Sequence, residues 1–319
     1  MDKIRVGVVG TGALGKHHAR VYASLPDTVL SGVVDVHPGR AREVADAFGT
    51  EACTTYTDLF GKVDAVSIAT PSTLHAEIGE QFLKRGIHVL IEKPIAPSLE
   101  EADRLIRTAK DNLCILQVGH LERFNPAVVQ LREIVNRPRF FESHRMGSFS
   151  PRSLDIDVIL DLMIHDLDII CSLVPSPVTQ VQAVGIAILT DRIDIANARI
   201  HFEDGCVANV TASRVSVEKV RKLRLFQKHQ YISLDYTRQD IAVFSLVPNA
   251  GEGVPEIVNR RLEPEKKEPL HEELNAFLRA ARGMEPVRCS GEDGRHALAL
   301  ALQILEQAEK AQALEFDRT

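Results

Sequence analysis

The sequence predicts two domains in series. A doubly wound α/β domain is expected over residues 1–119. An α+β domain with a large, mostly antiparallel, open-faced sheet is expected over residues 120–319. Three observations carry this reading. Short Val/Ile/Leu-rich runs alternate with helical stretches through the first 120 residues. A glycine-rich turn joins the first run to the first helix, and after Gly119 strands follow one another directly. A chain of 319 residues is long enough for two cores. Its 45% hydrophobic and 26% charged residues are the balance of a folded chain, not a disordered one.

In order, strands are expected at Ile4–Val9, Val29–Val34, Ala65–Ala69, Val89–Ile91 and Cys114–Val118. Their apolar runs lack polar alternation, as in a parallel sheet buried on both faces. Helices are expected at Leu14–Ser24, Arg40–Phe48, Leu74–Arg85 and Leu99–Asn112. Pro126 suits the first position of a helix over 126–136, and a second helix over Val158–Leu173 is stopped by Pro175. From Val178 to about Val247 the chain reads as strands, two of them joined at the turn Glu203-Asp204-Gly205. Helices at His271–Ala281 and Arg295–Ala313 close the chain. Residues 248–269, rich in Pro, Gly, Glu and Lys, are the least ordered-looking segment.

Charge and cysteine content exclude several classes. The formal net charge of −6 provides no basic field for nucleic acid or anionic lipid. The first residues run straight into a strand, with no signal-like segment, and no apolar run approaches the roughly 18–20 residues that cross a bilayer. Five scattered cysteines (Cys53, Cys114, Cys171, Cys206, Cys289) suit reduced thiols and a cytoplasmic setting.

Chemistry begins at Gly10-Thr11-Gly12-Ala13-Leu14-Gly15, which follows a buried strand and opens a helix. Gly10 permits the tight turn, Gly12 lets a diphosphate approach the backbone, and Gly15 lets helix and strand pack closely. Asp35, 20 residues beyond Gly15, ends the second strand, where a carboxylate accepts ribose hydroxyls and repels a 2′-phosphate. NAD is therefore the expected cofactor of a Rossmann domain. Arg40 and Arg42 read as solvated charges at a helix start. Two further motifs sit at carboxyl ends of strands, where open α/β sheets bind ligands: Thr70-Pro71 with His75, and Glu92-Lys93-Pro94. A lysine at position 93 can reach the nicotinamide end of the cofactor.

Together these motifs resemble the glucose–fructose oxidoreductase and inositol dehydrogenase (Gfo/Idh/MocA) family over essentially the whole chain. The Asp-x-x-x-His pattern on a later family helix is matched by Asp161 and His165. The resemblance implies that Lys93, Asp161 and His165 line the substrate site, and that Thr70, Pro71, His75 and Glu92 serve the cofactor side. A cis Lys93–Pro94 bond is also implied. The residues read on their own agree: Asp161, His165 and Asp168 share a helix face, and a histidine can accept a hydroxyl proton as hydride leaves carbon. His165 is thus the expected base, with Lys93 on the same oxygen and Asp161 orienting the ring.

The segment Gly119–Pro126 resembles that of family members oxidising nucleotide-linked amino sugars, especially UDP-N-acetylglucosamine 3-dehydrogenases. Arg123, Arg145 and Arg152 can supply cations to a diphosphate, and each equally suits a surface or salt-bridged arginine. Free sugars or polyols are the alternative substrates, and a non-catalytic NAD-binding regulator is the alternative class. No metal is expected, because neither His-Glu-x-x-His nor Cys-x-x-Cys occurs. His17-His18 reads as helix surface or subunit contact, and Lys219–Arg224 as a solvated sheet face. An uncovered sheet face predicts a homodimer or homotetramer.

Overall fold

The buried apolar runs and the helices between them form, in the computed structural model, a first unit comprising residues up to Leu121 together with Glu268–His296. Residues 3–149, 156–247 and 256–316 are described. The strands of this unit are β1 (Ile4–Val9), β2 (Thr28–Val34), β3 (Glu51–Cys53), β4 (Ala65–Ile68), β5 (His88–Glu92) and β6 (Leu116–Gly119). The helices are α1 (Gly15–Ser24), α2 (Pro38–Phe48), α3 (His75–Leu83) and α4 (Leu99–Asp111). All strand pairs are parallel, in the order β3-β2-β1-β4-β5-β6. The order reverses between β1 and β4, which places a crevice at their carboxyl ends.

Gly15, His18, Ala19 and Tyr22 form the buried stripe of α1. Tyr22 shares a hydrogen bond of 2.7 Å with Ser67 of β4.

The second unit comprises Glu122–Lys267 and the chain from Ala297 onward. It contains α5 (Pro126–Ile134), β7 (Phe140–Met146), α6 (Ile164–Leu173), β8 (Val178–Ile186), β9 (Ile195–Phe202), β10 (Val207–Ser213), β11 (Val220–Gln227), β12 (Gln230–Asp235), β13 (Asp240–Val247) and β14 (Glu256–Leu262). The sheet order is β14-β13-β12-β11-β7-β10-β9-β8, antiparallel except for the parallel β7–β10 pair. One face packs Phe141, Leu223, Leu225, Ile232 and Leu234 against residues of α5 and α6. The last two helices are α7 (Pro269–Ala281) and α8 (Gly291–Phe316). Residues Leu300, Ala301, Ile304 and Ala308 of α8 join the core of the second unit.

Four expectations need correction. The segment after residue 119 is not one continuous domain, because α7 belongs to the first unit: Leu274 and Phe277 share a core with Val21 and Tyr22. β7 is a central strand that the sequence hides, since its inward positions are Phe141, Ser143 and Arg145, two of them polar. The short strand β3 is likewise unanticipated. Within residues 248–269, Glu256–Leu262 forms edge strand β14, while residues 248–255 lie outside the described residues. The turn at Glu203–Gly205 is present, with Gly205 at φ +83°.

Candidate active site

The glycine loop has the geometry its residues demand. Gly10 adopts φ +88°, and a Cβ there would lie 2.6 Å from the Ala69 carbonyl oxygen. A Cβ on Gly15 would lie 1.7 Å from the Gly10 carbonyl oxygen, so the turn closes directly on the helix. Gly12 differs: its missing Cβ faces open space. α1 begins after Leu14 with no side-chain cap and no acidic residue in its first turn, and Ala13 and Leu14 are exposed. Uncapped helix-start N–H groups beside open space suit an anion such as a dinucleotide diphosphate.

Asp35 is buried at the end of β2 and receives four donors. Thr11 N and Oγ1 each donate to Oδ2 at 3.0 Å, while His37 N and an Arg40 guanidinium nitrogen each donate to Oδ1 at 2.9 Å. Burial pushes the carboxyl upward, but these donors outweigh it and hold the pKa below the usual range. Asp35 is therefore an anion fixed in place. Arg40 is not simply solvated, since it forms an ion pair with this carboxylate; Arg42 is exposed.

At the end of β5 the Lys93–Pro94 bond is cis and Lys93 is half-buried. His75 lies beneath this loop, 1% exposed, with Nδ1 2.9 Å from the Pro94 carbonyl oxygen and Nε2 3.0 Å from that of Thr70. Burial pushes its pKa down despite both carbonyls, so the neutral ring donates to one of them. Placed so, His75 braces the two strand-end loops, one of which carries Lys93. The Thr70 hydroxyl is buried with no hydrogen-bond partner among the described residues, and Pro71 is exposed next to it.

Sequence reasoning missed the support beneath Glu92. His18, expected on the surface, is fully buried, and its Nε2 lies 3.0 Å from Glu92 Oε1. Burial pushes Glu92 upward; the His18 hydrogen bond and the charges of His18 and Lys93 overcome this and hold it below the carboxylate range. The available signal was spacing, because Gly15, His18, Ala19 and Tyr22 fall on one helical stripe.

The other candidates belong to the second unit. Asp161 lies in a π-helical turn over Ile159–Met163, and His165 follows in the first turn of α6. Both are half-buried, and Asp161 lines a groove of about 1070 Å³. Asp168 does not join them at a ligand-facing surface. It is buried and receives Arg123 in a two-pronged pair, Nε at 2.8 Å and Nη2 at 2.7 Å.

Arg145 donates to Asp166 through Nε at 2.6 Å and to Glu122 through Nη1 at 3.0 Å. Burial pushes its pKa down, but the charges of Asp166 and Glu122 raise it overall. Arg123 and Arg145 are thus answered by internal carboxylates, the salt-bridged alternative that the sequence equally allows, and Arg145 also lines the groove. Arg152 lies outside the described residues. Among the described residues no group of three His, Cys, Asp or Glu is placed to hold a metal ion.

Residues 4–120 match the model of an oxidoreductase family with an NAD-binding Rossmann fold, and residues 129–232 match the Gfo/Idh/MocA C-terminal domain. The chain is 40% identical over 305 residues to UDP-N-acetylglucosamine 3-dehydrogenase from Acidithiobacillus ferrooxidans, covering 95% of this chain and 97% of that one. Two solved structures of that enzyme superpose with TM-scores of 0.90 and 0.91 at 39% identity, covering 97% of this chain and 99% of theirs. Myo-inositol 2-dehydrogenase from Thermotoga maritima is 28% identical over 335 residues, covering 98% of this chain and 99% of that one.

Proposed function

The chain belongs to the Gfo/Idh/MocA oxidoreductase family, and from that premise we propose that it oxidises the C3 hydroxyl of UDP-N-acetylglucosamine with NAD. It is an NAD-dependent oxidoreductase acting on CH–OH groups of a sugar or polyol. The observation that supports the narrower substrate is the 40% identity to an enzyme of that name along nearly the full length of both chains.

In this reading the loop Gly10–Leu14 receives the cofactor diphosphate and Asp35 receives the adenosine ribose. The fixed negative charge of Asp35 disfavours a 2′-phosphate, so NAD is preferred over NADP. Thr70 and Pro71 border the nicotinamide end, with His75 and Glu92 holding their loops in place. When bound, NAD supplies the hydride acceptor. His165 takes the proton of the sugar hydroxyl, Lys93 hydrogen-bonds the same oxygen, and Asp161 orients the imidazole or holds a neighbouring hydroxyl.

The test is a substrate panel followed by NADH absorbance: UDP-N-acetylglucosamine, free N-acetylglucosamine and myo-inositol, each with NAD and with NADP. The expected result is the highest kcat/KM for the UDP-sugar with NAD. Preferential turnover of myo-inositol would overturn the substrate, and preferential use of NADP would overturn the role given to Asp35.

A further inference from the structure

The alternation of Lys219–Arg224 reads as a solvated sheet face, but the structure puts its first residues on the wall of the groove that Asp161 lines. Strand register decides which way they point. Arg221 of β11 lies directly opposite Arg145 of β7. Arg145 faces the helix-covered side, where Asp166 of α6 receives it, so Arg221 projects to that side too. Lys219 immediately precedes β11 and lines the same groove.

The two cations opposite each other on this face are not equivalent. Arg145 is buried and neutralised by Asp166 and Glu122. Lys219 and Arg221 are exposed, and among the described residues neither forms an ion pair. Of the lysines and arginines lining the groove, Arg145, Arg214 and Arg238 are paired with carboxylates, which leaves Lys219, Arg221 and Lys222 with no ion pair among the described residues. Lys219 and Arg221 are cations close together in the chain with no carboxylate among the described residues pairing either, and an anion between them relieves their mutual repulsion. The volume of about 1070 Å³ is at the top of the range for small-molecule sites, so it accommodates more than one sugar ring. Phe149, 44% exposed on the same groove, offers an aromatic face to a base.

Resting on the UDP-sugar reading above, we propose that Lys219 and Arg221 grip the diphosphate of the nucleotide-linked sugar. Phe149 lies against the uracil, and the sugar extends toward Asp161. Lys219 and Arg221 thereby take the role that the sequence suggested for Arg123 and Arg145, whose charges are spent on Asp168, Asp166 and Glu122.

Calorimetric titration of UDP, uridine and inorganic pyrophosphate into the enzyme saturated with NAD tests this, alongside KM for UDP-N-acetylglucosamine. Charged hydrogen bonds of this kind correspond to roughly tenfold or more in affinity each. Wild type is expected to bind UDP, and pyrophosphate to compete with it. Lys219→Ala with Arg221→Ala should weaken UDP by about 100-fold and raise KM accordingly while barely changing uridine. Arg221→Lys should retain part of the UDP affinity that Arg221→Ala loses, and Phe149→Ala should weaken uridine. Lys228→Ala, at the far end of β11, is the surface control and should change none of these. If the double variant bound UDP as tightly as wild type, the grip would be overturned while the UDP-sugar reading stood. If wild type neither bound UDP nor turned over the UDP-sugar, both would fall.

Discussion

Two glycines of one loop make opposite demands on an added methyl group. At Gly15 it would meet the Gly10 carbonyl oxygen at 1.7 Å; at Gly12 it would meet only open space. Gly15→Ala should therefore lower the melting temperature of the cofactor-free protein. Gly12→Ala should leave that temperature nearly unchanged but weaken NAD binding, as read by fluorescence titration. A Gly12→Ala protein with unaltered NAD affinity would remove the diphosphate from this loop.

His18 and Glu92 make a different kind of residue-scale claim, because breaking a buried pair leaves a desolvated charge. His18→Ala is expected to cost about 3 kcal/mol near neutral pH. The Glu92 pKa is depressed on folding, so its contribution is present above the unfolded carboxylate value and is lost as pH falls through the folded value. The gap between wild type and His18→Ala should accordingly narrow in acid, measured by urea denaturation across that window. At the reacting oxygen, His165→Ala should lower kcat by about 10²–10⁴-fold. Lys93→Met should do comparable damage with NAD affinity retained, since the proposed function assigns the cofactor diphosphate and ribose to the glycine loop and Asp35.

Among elements, legibility followed how completely a segment's burial is written in apolar side chains. β1, β4 and β5 are buried on both faces and were plain in the sequence; so was the glycine turn, whose φ of +88° at Gly10 demands that residue. β7 was not, because its core face is completed by Ser143 and Arg145, and Arg145 is held there by Asp166, Glu122 and the Tyr236 ring. The arginine roles were unreadable for the same reason: a free cation and a neutralised one have the same letter. α7 was legible as a helix but not as part of the first unit, since a pattern of apolar residues does not name its partner. Phe277, fully buried beside Tyr22 in that core, makes the assignment testable. Phe277→Ala should destabilise the first unit by about 3–5 kcal/mol and lower the thermal transition that NAD raises. A drop confined to a transition that NAD does not move would contradict the assignment.

For the whole molecule, the sheet of the second unit has two unlike faces. One meets helices; the other carries Phe140, Phe226, Tyr231 and Phe244 in a row across four strands, with ring centroids 5.0–5.7 Å apart. We propose that this partly exposed aromatic row is covered by a second copy of the chain, giving a dimer or a dimer of dimers. Light scattering at micromolar concentration should report an oligomer, and Phe226→Asp should shift it toward monomer; a wild-type monomer would contradict the proposal.

The central claim is that hydride leaves C3 of a UDP-linked amino sugar for NAD. UDP-N-acetylglucosamine carrying deuterium at C3 tests it in one mass measurement on the reduced cofactor. Deuterium on the nicotinamide is the predicted result. Unlabelled NADH, formed while the sugar keeps its C3 deuterium, would contradict it.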